Sequence, residues 1–285
     1  MANWDHGYVT DITYVTNHYR ECSPSWIAAA CLLLGHRPPD TSRPYTYADL
    51  GCGNGFTALA TAATSPHADV WAFDFNPAHV ENGRLLADAA GLTNIHFVEA
   101  SFEDLRNPSR FDMPDFDFIV SHGVLSWISP ENRTHLYGIV GERLRPGGVA
   151  YLSYNVTVGW AAMVPTRHLM RLLAASRQER SDLSALSALG LIDRLRSGGA
   201  TYFASHPPLG NRLEELAKHS PRYLAHEYLN QDWHPVMFSD VATAMKEVKC
   251  GYLGSATLAE NIDPVSVPQG LAPLMAEFND PIIRE

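Results

Sequence analysis

The chain has 285 residues and a mass of 31.5 kDa, with 46% hydrophobic and 18% charged residues; this predicts a globular protein of one or two domains and excludes a disordered chain. The chain has 21 basic and 31 acidic residues, so its net charge is −10. This charge argues against a nucleic-acid partner. The N-terminal residues lack a signal-peptide pattern and no apolar run could span a bilayer, so we expect no membrane partner.

The N-terminal part, residues 1–46, contains one predicted helix over 24–34 and is expected to form a helical lid. Aromatic side chains precede that helix, and Tyr14 and Tyr19 are candidates to fold over a bound cofactor. The alternative is that both side chains only pack against the helix.

Residues 47–155 alternate short apolar runs with longer mixed segments, which is typical of a βαβ series. Helices are predicted over 57–65, 77–90 and 132–144, the last ended by a turn that contains Pro146. Strands are predicted over 47–50, 70–73, 95–99, 116–121 and 148–154. This order predicts an α/β fold with a doubly wound, Rossmann-like, mostly parallel sheet.

The pattern changes after residue 160. Leucines at helical spacing predict helices over 163–178, 181–196 and 211–219. A further helix over 239–249, capped by Ser239, would lead into a sixth strand over 252–258. Four prolines then predict an irregular tail over 263–285.

The elements suggest a division of the chain into four parts. After the lid, a cofactor-binding domain would comprise residues 47–159 and 235–262. A helical insertion over 160–234 would cover the acceptor site and set substrate choice, and the tail would close the chain.

The four cysteines form no Cys-x-x-Cys pair and no ladder with histidine. The sequence therefore predicts neither a metal site nor a disulfide framework. Unpaired cysteines favour a reducing compartment, so we expect a cytoplasmic protein. The sequence makes no prediction of the oligomeric state.

A glycine turn follows the first predicted strand, with glycine at positions 51, 53 and 55. Glycines let the backbone approach a ligand closely at the switch point of an open α/β sheet. A dinucleotide fingerprint would require a further glycine where Phe56 stands, so pyrophosphate binding is disfavoured.

Two acidic residues flank this turn in the predicted fold. Asp49 precedes the first glycine and could balance a ligand ammonium group, whereas it would repel a phosphate. Asp74 ends the second strand, where a carboxylate can accept hydrogen bonds from both hydroxyls of a ribose. A ribose and an ammonium group without phosphate describe S-adenosylmethionine.

At this point residues 47–154 resemble the class I S-adenosylmethionine-dependent methyltransferases. The resemblance implies that the residues around the methionine part of the cofactor are Asp49, Gly51, Gly53 and Gly55. It also implies that Asp74, followed by Phe75, holds the ribose, and that the loop with Ser101 and Phe102 contacts adenine. Ser101 departs from the family pattern, because an aspartate often stands there.

Other segments resemble bacterial methyltransferases that carry a methyltransferase regulatory domain. These segments are residues 121–128, 151–155, 159–160, 226–229, 235–236 and 252–254. Some members of that group are protein-lysine methyltransferases, so the resemblance implies a nitrogen or oxygen acceptor on a protein lysine or a small molecule. A lysine side chain, a small amine, a sugar hydroxyl and a carboxylate all stay open.

Candidates for acceptor-side chemistry follow the fourth and fifth strands. His122 could act as a base and contact the cofactor, or it could be a hydrogen-bonded histidine in a tight turn. Tyr154 and Asn155 could position the acceptor, although Tyr154 could equally be a packed side chain with a satisfied hydroxyl.

Two other functions fit the same fold. One is a nicotinamide-dependent oxidoreductase, supported by the glycine turn and by the acid after the second strand, but opposed by Phe56 and Asp49. The other is a non-catalytic module that binds the cofactor without transferring a methyl group.

Overall fold

The computed structural model describes residues 7–12, 17–177 and 179–285. Its contacts divide into two compact units. The α/β unit contains Asn17–Tyr154 and Val236–Glu285, and the helical unit contains Asn155–Pro235 together with residues 7–12. The N-terminal residues from Asn17 and the tail therefore belong to the α/β unit.

The α/β unit is built on a five-stranded sheet with the order β3-β2-β1-β4-β5, in which every neighbouring pair is parallel. The strands are β1 Tyr45–Leu50, β2 Ala68–Asp74, β3 Ile95–Glu99, β4 Phe116–Ser121 and β5 Leu144–Leu152. Each overlaps a predicted strand. The doubly wound α/β fold predicted from the sequence is confirmed.

Side chains of the central strand β1 alternate between two apolar cores, because successive residues of a strand point to opposite faces. Tyr47 packs in one core with Val70 and Phe118. Ala48 and Leu50 pack in the other. Both faces of β1 are therefore buried, which holds its carboxyl end in a fixed position.

Helices cover both faces of the sheet and begin at recognisable caps. Asn76 accepts a hydrogen bond from the N–H of Ala78 (3.0 Å) at the start of the helix Pro77–Ala89, and Ser129 accepts one from the N–H of Asn132 (3.2 Å) at the start of the helix Pro130–Arg143. The helices up to β5 are α1 Pro24–Leu33, α2 Phe56–Thr64, α3 Pro77–Ala89, α4 Phe102–Leu105 and α5 Pro130–Arg143, with a 3-10 turn at Arg20–Cys22.

Strand β5 begins earlier than the sequence predicts. Its register shifts, so that Phe116 of β4 pairs with Leu144 while Phe118 pairs with Val149. The intervening residues include Pro146, which has no N–H to donate to the ladder. The prediction that a helix ends before this turn is confirmed. Strand β5 nevertheless pairs with β4 both before and after the proline.

The predicted sixth strand over 252–258 is wrong, because this segment has no strand neighbour in the described structure. Side chains satisfy its backbone instead. Asn261 accepts a hydrogen bond from the N–H of Ser255 (2.9 Å) and donates one to its carbonyl oxygen (2.7 Å). The indole of Trp26 donates to the carbonyl oxygen of Ala256 (2.7 Å).

The remainder of the α/β unit follows the helical unit in the chain. Its elements are α12 Phe238–Glu247, α13 Asp263–Ser266, α14 Ala272–Met275 and α15 Pro281–Arg284, with a 3-10 turn at Leu258–Asn261. The predicted cap at Ser239 is wrong, since Met237 is the residue that precedes α12. The tail consists of four-residue turns, each with a proline near its start.

The helical unit packs around a core that includes Met170, Ile192 and Leu213. Its helices are α6 Thr157–Trp160, α7 Val164–Ala175, α8 Ser181–Ser197, α9 Thr201–Ala204, α10 Pro207–Leu216 and α11 Pro221–Tyr228, with a 3-10 turn at Ala161–Met163. Helix α11 was not predicted, although Ser220 before a proline is a typical helix start. No helix of the described residues is long and apolar enough to cross a membrane.

Candidate functional site

The candidate site lies at the carboxyl ends of the parallel strands, which hydrogen bonds tie together. The N–H groups of Gly51 and Cys52 both donate to the carbonyl oxygen of Phe73 at 2.9 Å. The hydroxyl of Ser121, at the end of β4, donates to the carbonyl oxygen of Leu50 at 2.9 Å. The turn after β1 is therefore fixed to both neighbouring strands.

The glycine turn needs glycine for steric reasons at two positions. Gly51 and Gly55 have φ angles of +78° and +71°. A Cβ atom on Gly51 would lie 2.5 Å from a methyl carbon of Val124, and one on Gly55 would lie 2.2 Å from the ring of Phe97. Both values are far inside van der Waals contact, so any side chain here would displace its neighbour.

Asp74 organises this turn from the end of β2. Its carboxylate accepts hydrogen bonds from the N–H groups of Gly53 (2.8 Å) and Asn76 (2.9 Å), and it lies 3.3 Å from the imidazole of His79. A carboxylate has about four acceptor positions, so capacity remains for a ligand hydroxyl. Asn76 and His79 were not predicted as site residues, although an asparagine before Pro77 is a helix-capping pattern.

Asp49 is a buried carboxyl group on β1 with 5% of its surface exposed. Burial and the negative charge of Asp74 raise the pKa of Asp49 to about 7. No arginine, lysine or histidine of the described residues forms an ion pair with it. Two neighbouring carboxylates without a cation between them fit a positively charged ligand group.

His122 follows β4 and lies between two tyrosine rings. The ring of Tyr19 stacks on it at 3.7 Å between centroids with an interplanar angle of 19°, and its Nδ1 lies 3.0 Å from the hydroxyl oxygen of Tyr151. Burial lowers the pKa of His122 to about 4, against the opposing effect of Glu21. The imidazole is therefore neutral at physiological pH.

The structure gives Tyr19 a second contact at the glycine turn. Its backbone N–H donates to the hydroxyl of Thr57 at 3.3 Å, at the start of α2. Tyr19 is thus held across the site by its ring and by its backbone. The other lid candidate, Tyr14, lies outside the described residues.

Ser101 and Phe102 form the start of α4. The hydroxyl of Ser101 accepts a hydrogen bond from the N–H of Asp104, and the carboxylate of Asp104 accepts one from the N–H of Ser101, both at 3.1 Å. This capping box fixes the loop. Phe75, directly after Asp74, and Phe102 are both half-buried.

The two acceptor-side candidates fall on different units of the chain. Tyr154 is the last residue of the α/β unit before the helical unit, which begins at Asn155. Burial raises the pKa of Tyr154 to about 12, so its hydroxyl stays protonated. Among the described residues, no three His, Cys, Asp or Glu side chains are grouped so that they could hold a metal ion.

Comparisons with known proteins match two families along the chain. Residues 48–148 match the methyltransferase domain, and residues 220–285 match the predicted methyltransferase regulatory domain. An uncharacterized protein of Synechocystis sp., sll1526, is 36% identical over 282 residues, which cover 99% of this chain and 55% of that protein. The trans-aconitate 2-methyltransferase of Methylobacterium radiotolerans is 32% identical over 54% of this chain and 53% of that enzyme.

Among solved structures, PKMT2 from Rickettsia typhi in complex with AdoHcy superimposes with a TM-score of 0.81 and 24% identity. The match covers 95% of this chain and 51% of that protein. This chain therefore spans about half the length of several relatives that it matches.

The buried carboxylate pair and the glycine turn fit S-adenosylmethionine, whose methionine part carries an ammonium group and whose sulfur is cationic. The oxidoreductase alternative is not favoured, because Asp49 would oppose a pyrophosphate and the domain match is to methyltransferases. Fold, turn and domain matches agree: residues 48–148 form a methyltransferase domain of the class I S-adenosylmethionine-dependent kind, and residues 220–285 match the predicted methyltransferase regulatory domain.

Proposed function

We propose that this chain transfers the methyl group of S-adenosylmethionine to the side-chain amine of a protein lysine. The observation that carries the cofactor part is the pair of buried carboxyl groups, Asp49 and Asp74, beside a turn that has no room for a side chain at Gly51 and Gly55. The acceptor part is supported by the similarity to PKMT2 and by the resemblance to a group that includes protein-lysine methyltransferases.

In this proposal each cofactor group has its own residues. Asp49 balances the ammonium group, and Asp74 accepts hydrogen bonds from the ribose hydroxyls. The backbone of the turn over residues 51–55 faces the methionine part. Ser101 and Phe102 contact adenine, and Phe75 lies beside the ribose.

The cofactor supplies a methyl group bonded to a cationic sulfur, which makes that carbon electrophilic. The chain's own residues then have to orient the acceptor and exclude water. A lysine amine has an ordinary pKa near 10.4, so it must lose a proton before its nitrogen can attack. Burial of the amine away from water lowers its pKa and favours the neutral form, and the proton is released to solvent water before the nitrogen attacks.

His122 is poorly suited to take that proton. A group with a pKa of about 4 holds a proton weakly, whereas a general base works best with a pKa near the working pH. Its stack with Tyr19 instead gives the site a rigid aromatic wall. We assign His122 to shaping the site, and we assign Tyr154 and Asn155 to positioning the acceptor.

The helical unit is the part we assign to acceptor choice, and the predicted cap over 160–234 falls within it. The four cysteines of the chain are free thiols, which fits action in the reducing cytoplasm. The chain carries an excess of 10 negative charges, which disfavours a nucleic acid as the methyl acceptor. A protein or a small molecule is the acceptor class that remains.

The acceptor proposal is tested by incubating the purified protein with a bacterial lysate and isotopically labelled S-adenosylmethionine. We expect label on lysine residues, located by mass spectrometry of tryptic peptides and stable to mild base. An Asp74→Ala variant should give no label, while Asp88→Ala, on the exposed face of α3, should label like the parent. Label that is released by mild base would indicate a carboxylate acceptor and overturn the lysine assignment.

A separate binding measurement distinguishes a wrong acceptor from a wrong cofactor. Calorimetry with AdoHcy, which is S-adenosylmethionine without its transferable methyl group, should show saturable binding to the parent protein. Binding without label on any lysate component would favour the non-catalytic module. The absence of binding would overturn the cofactor site itself.

A further inference from the structure

Arg167, on helix α7 of the helical unit, is a buried charge. Only 6% of its surface is exposed. One terminal nitrogen donates to the backbone carbonyl of Asn230, but its Nε is buried and has no hydrogen-bond partner among the described residues. Guanidinium groups stay charged in proteins, and a buried charge is stable only when it is paired.

The charge of Arg167 is not paired by an acidic side chain. The acidic group that attracts it, Asp232, already lies 3.0 Å from the imidazole of His234. Burial and the positive charge of Arg171 lower the pKa of Arg167 to about 10. Arg167 therefore lies near a second cation, Arg171. In the part of the chain that the structure describes, it has no ion-pair partner within 4 Å.

Two side chains that interact with Arg167 also carry unpartnered hydrogen-bond donors. Trp233, also 6% exposed, lies with its ring centroid 5.1 Å from the guanidinium carbon of Arg167. The indole Nε1 of Trp233 and the Nε of Arg171 are buried, and neither has a partner among the described residues. The Nε groups of two cationic arginines and the N–H of a neutral indole are donors only, which is the arrangement that an anion satisfies.

From these contacts we propose that the helical unit contains a carboxylate-binding site, in which the ligand accepts hydrogen bonds from the Nε of Arg167 and the Nε1 of Trp233. A carboxylate matches the planar donors of arginine. A doubly charged phosphate is disfavoured because the negative charge of Asp232 lies near. The carboxylate belongs to a small organic acid or to an acidic side chain of a polypeptide.

The site is tested by titrating the whole chain with sodium acetate, with acetamide as the neutral isostere and sodium chloride to hold the ionic strength constant. We expect acetate, but not acetamide, to bind by calorimetry and to raise the melting temperature. Arg167→Met should weaken acetate binding at least about tenfold, since a charged hydrogen bond contributes about 1.5–3 kcal/mol. Arg194→Met, an exposed arginine on α8, is the matched control and should bind like the parent.

Trp233→Phe provides a second variant that keeps the aromatic ring and removes only the N–H. It should weaken acetate binding about twofold to tenfold, the range for one neutral donor. Equal stabilisation by acetate and chloride, or unchanged acetate binding in both variants, would overturn the proposal.

A second titration identifies the source of the carboxylate. Acetyl-Gly-Glu-Gly-amide is compared with acetyl-Gly-Gln-Gly-amide. If the glutamate peptide binds more tightly than acetate, the ligand is an acidic side chain of a polypeptide. If only acetate binds, the ligand is a small organic acid. These measurements follow binding only, so they do not depend on methyl transfer.

Discussion

The two units of the molecule bury unpaired charges of opposite sign. In the α/β unit, Asp49 and Asp74 lie close together, and Asp49 has no ion-pair partner in the described structure. In the helical unit, Arg167 is buried with Arg171 nearby. Each arrangement costs folding free energy unless a ligand of the opposite charge binds. With the two proposals above, one chain holds two electrostatically distinct sites, one for a cation and one for an anion.

The largest expected effect on cofactor-site binding comes from replacing Asp74. Asp74→Ala removes the acceptor that fixes the N–H groups of Gly53 and Asn76, and with it the contact proposed for the ribose. We expect AdoHcy affinity to fall by about 100-fold or more, since several charge-assisted hydrogen bonds are lost together. Calorimetry measures this, and Asp88→Ala is the control. Parent-like binding by Asp74→Ala would show that the cofactor lies elsewhere.

The second prediction concerns the pH dependence contributed by Asp49, whose pKa is raised to about 7. A cationic ligand favours the ionised carboxylate, so AdoHcy affinity should rise with pH by up to about tenfold per unit and level off above pH about 7. Binding below that pH should release a proton. Asp49→Asn should bind more weakly and with a flat profile. A parent profile that is already flat would contradict the role of Asp49.

A smaller effect is expected at the histidine stack. Tyr151→Phe removes the hydroxyl 3.0 Å from the Nδ1 of His122 but keeps the ring. One neutral hydrogen bond contributes about 0.5–1.5 kcal/mol, so AdoHcy affinity should fall about twofold to tenfold. Tyr19→Phe keeps the ring that stacks on His122 and should change affinity less. Equal losses in the two variants would show that the hydroxyl of Tyr151 does not position the imidazole.

The smallest effects are expected on the stability of the ligand-free protein, and they compare the two buried charges directly. A carboxyl whose pKa is raised in the folded state makes the protein less stable as pH rises from about 4 to about 7. At pH 8 Asp49→Asn should therefore melt at or above the parent temperature. Arg167→Met should melt within a few degrees of the parent, because replacing a buried charge by an apolar side chain is often neutral. A large drop in either variant would show that the charge is paired in the free protein.

The cation site could be predicted from the sequence because its residues lie at fixed positions around one strand and turn. A glycine turn after a buried strand, and an acid at the end of the next strand, meet at the same sheet edge whatever the rest of the chain does. The positions of Asp49, Gly51 and Asp74 at the ends of β1 and β2 could therefore be predicted from the sequence, and their role in binding the cofactor stays a prediction. The contacts of Asp74 with Gly53 and His79 were not, because they depend on the exact path of the turn.

The anion site could not be predicted, because its parts are distant in sequence and none has a motif. Arg167 and Trp233 are 66 residues apart and meet only when α7 packs beside the segment after α11. The sixth strand failed for a related reason. The apolar pattern over 252–258 is typical of a strand, but the side chain of Asn261 satisfies the backbone of Ser255 before a neighbouring strand can.

The interruption of β5 at Pro146 has a consequence for how the protein behaves at high concentration. In the described part of the chain, β5 ends the strand order and pairs only with β4. An uninterrupted strand in that position would offer a second molecule a complete row of donors and acceptors. The missing N–H of Pro146 and the shifted register break this row, so the edge is a poor template for fibrous self-association.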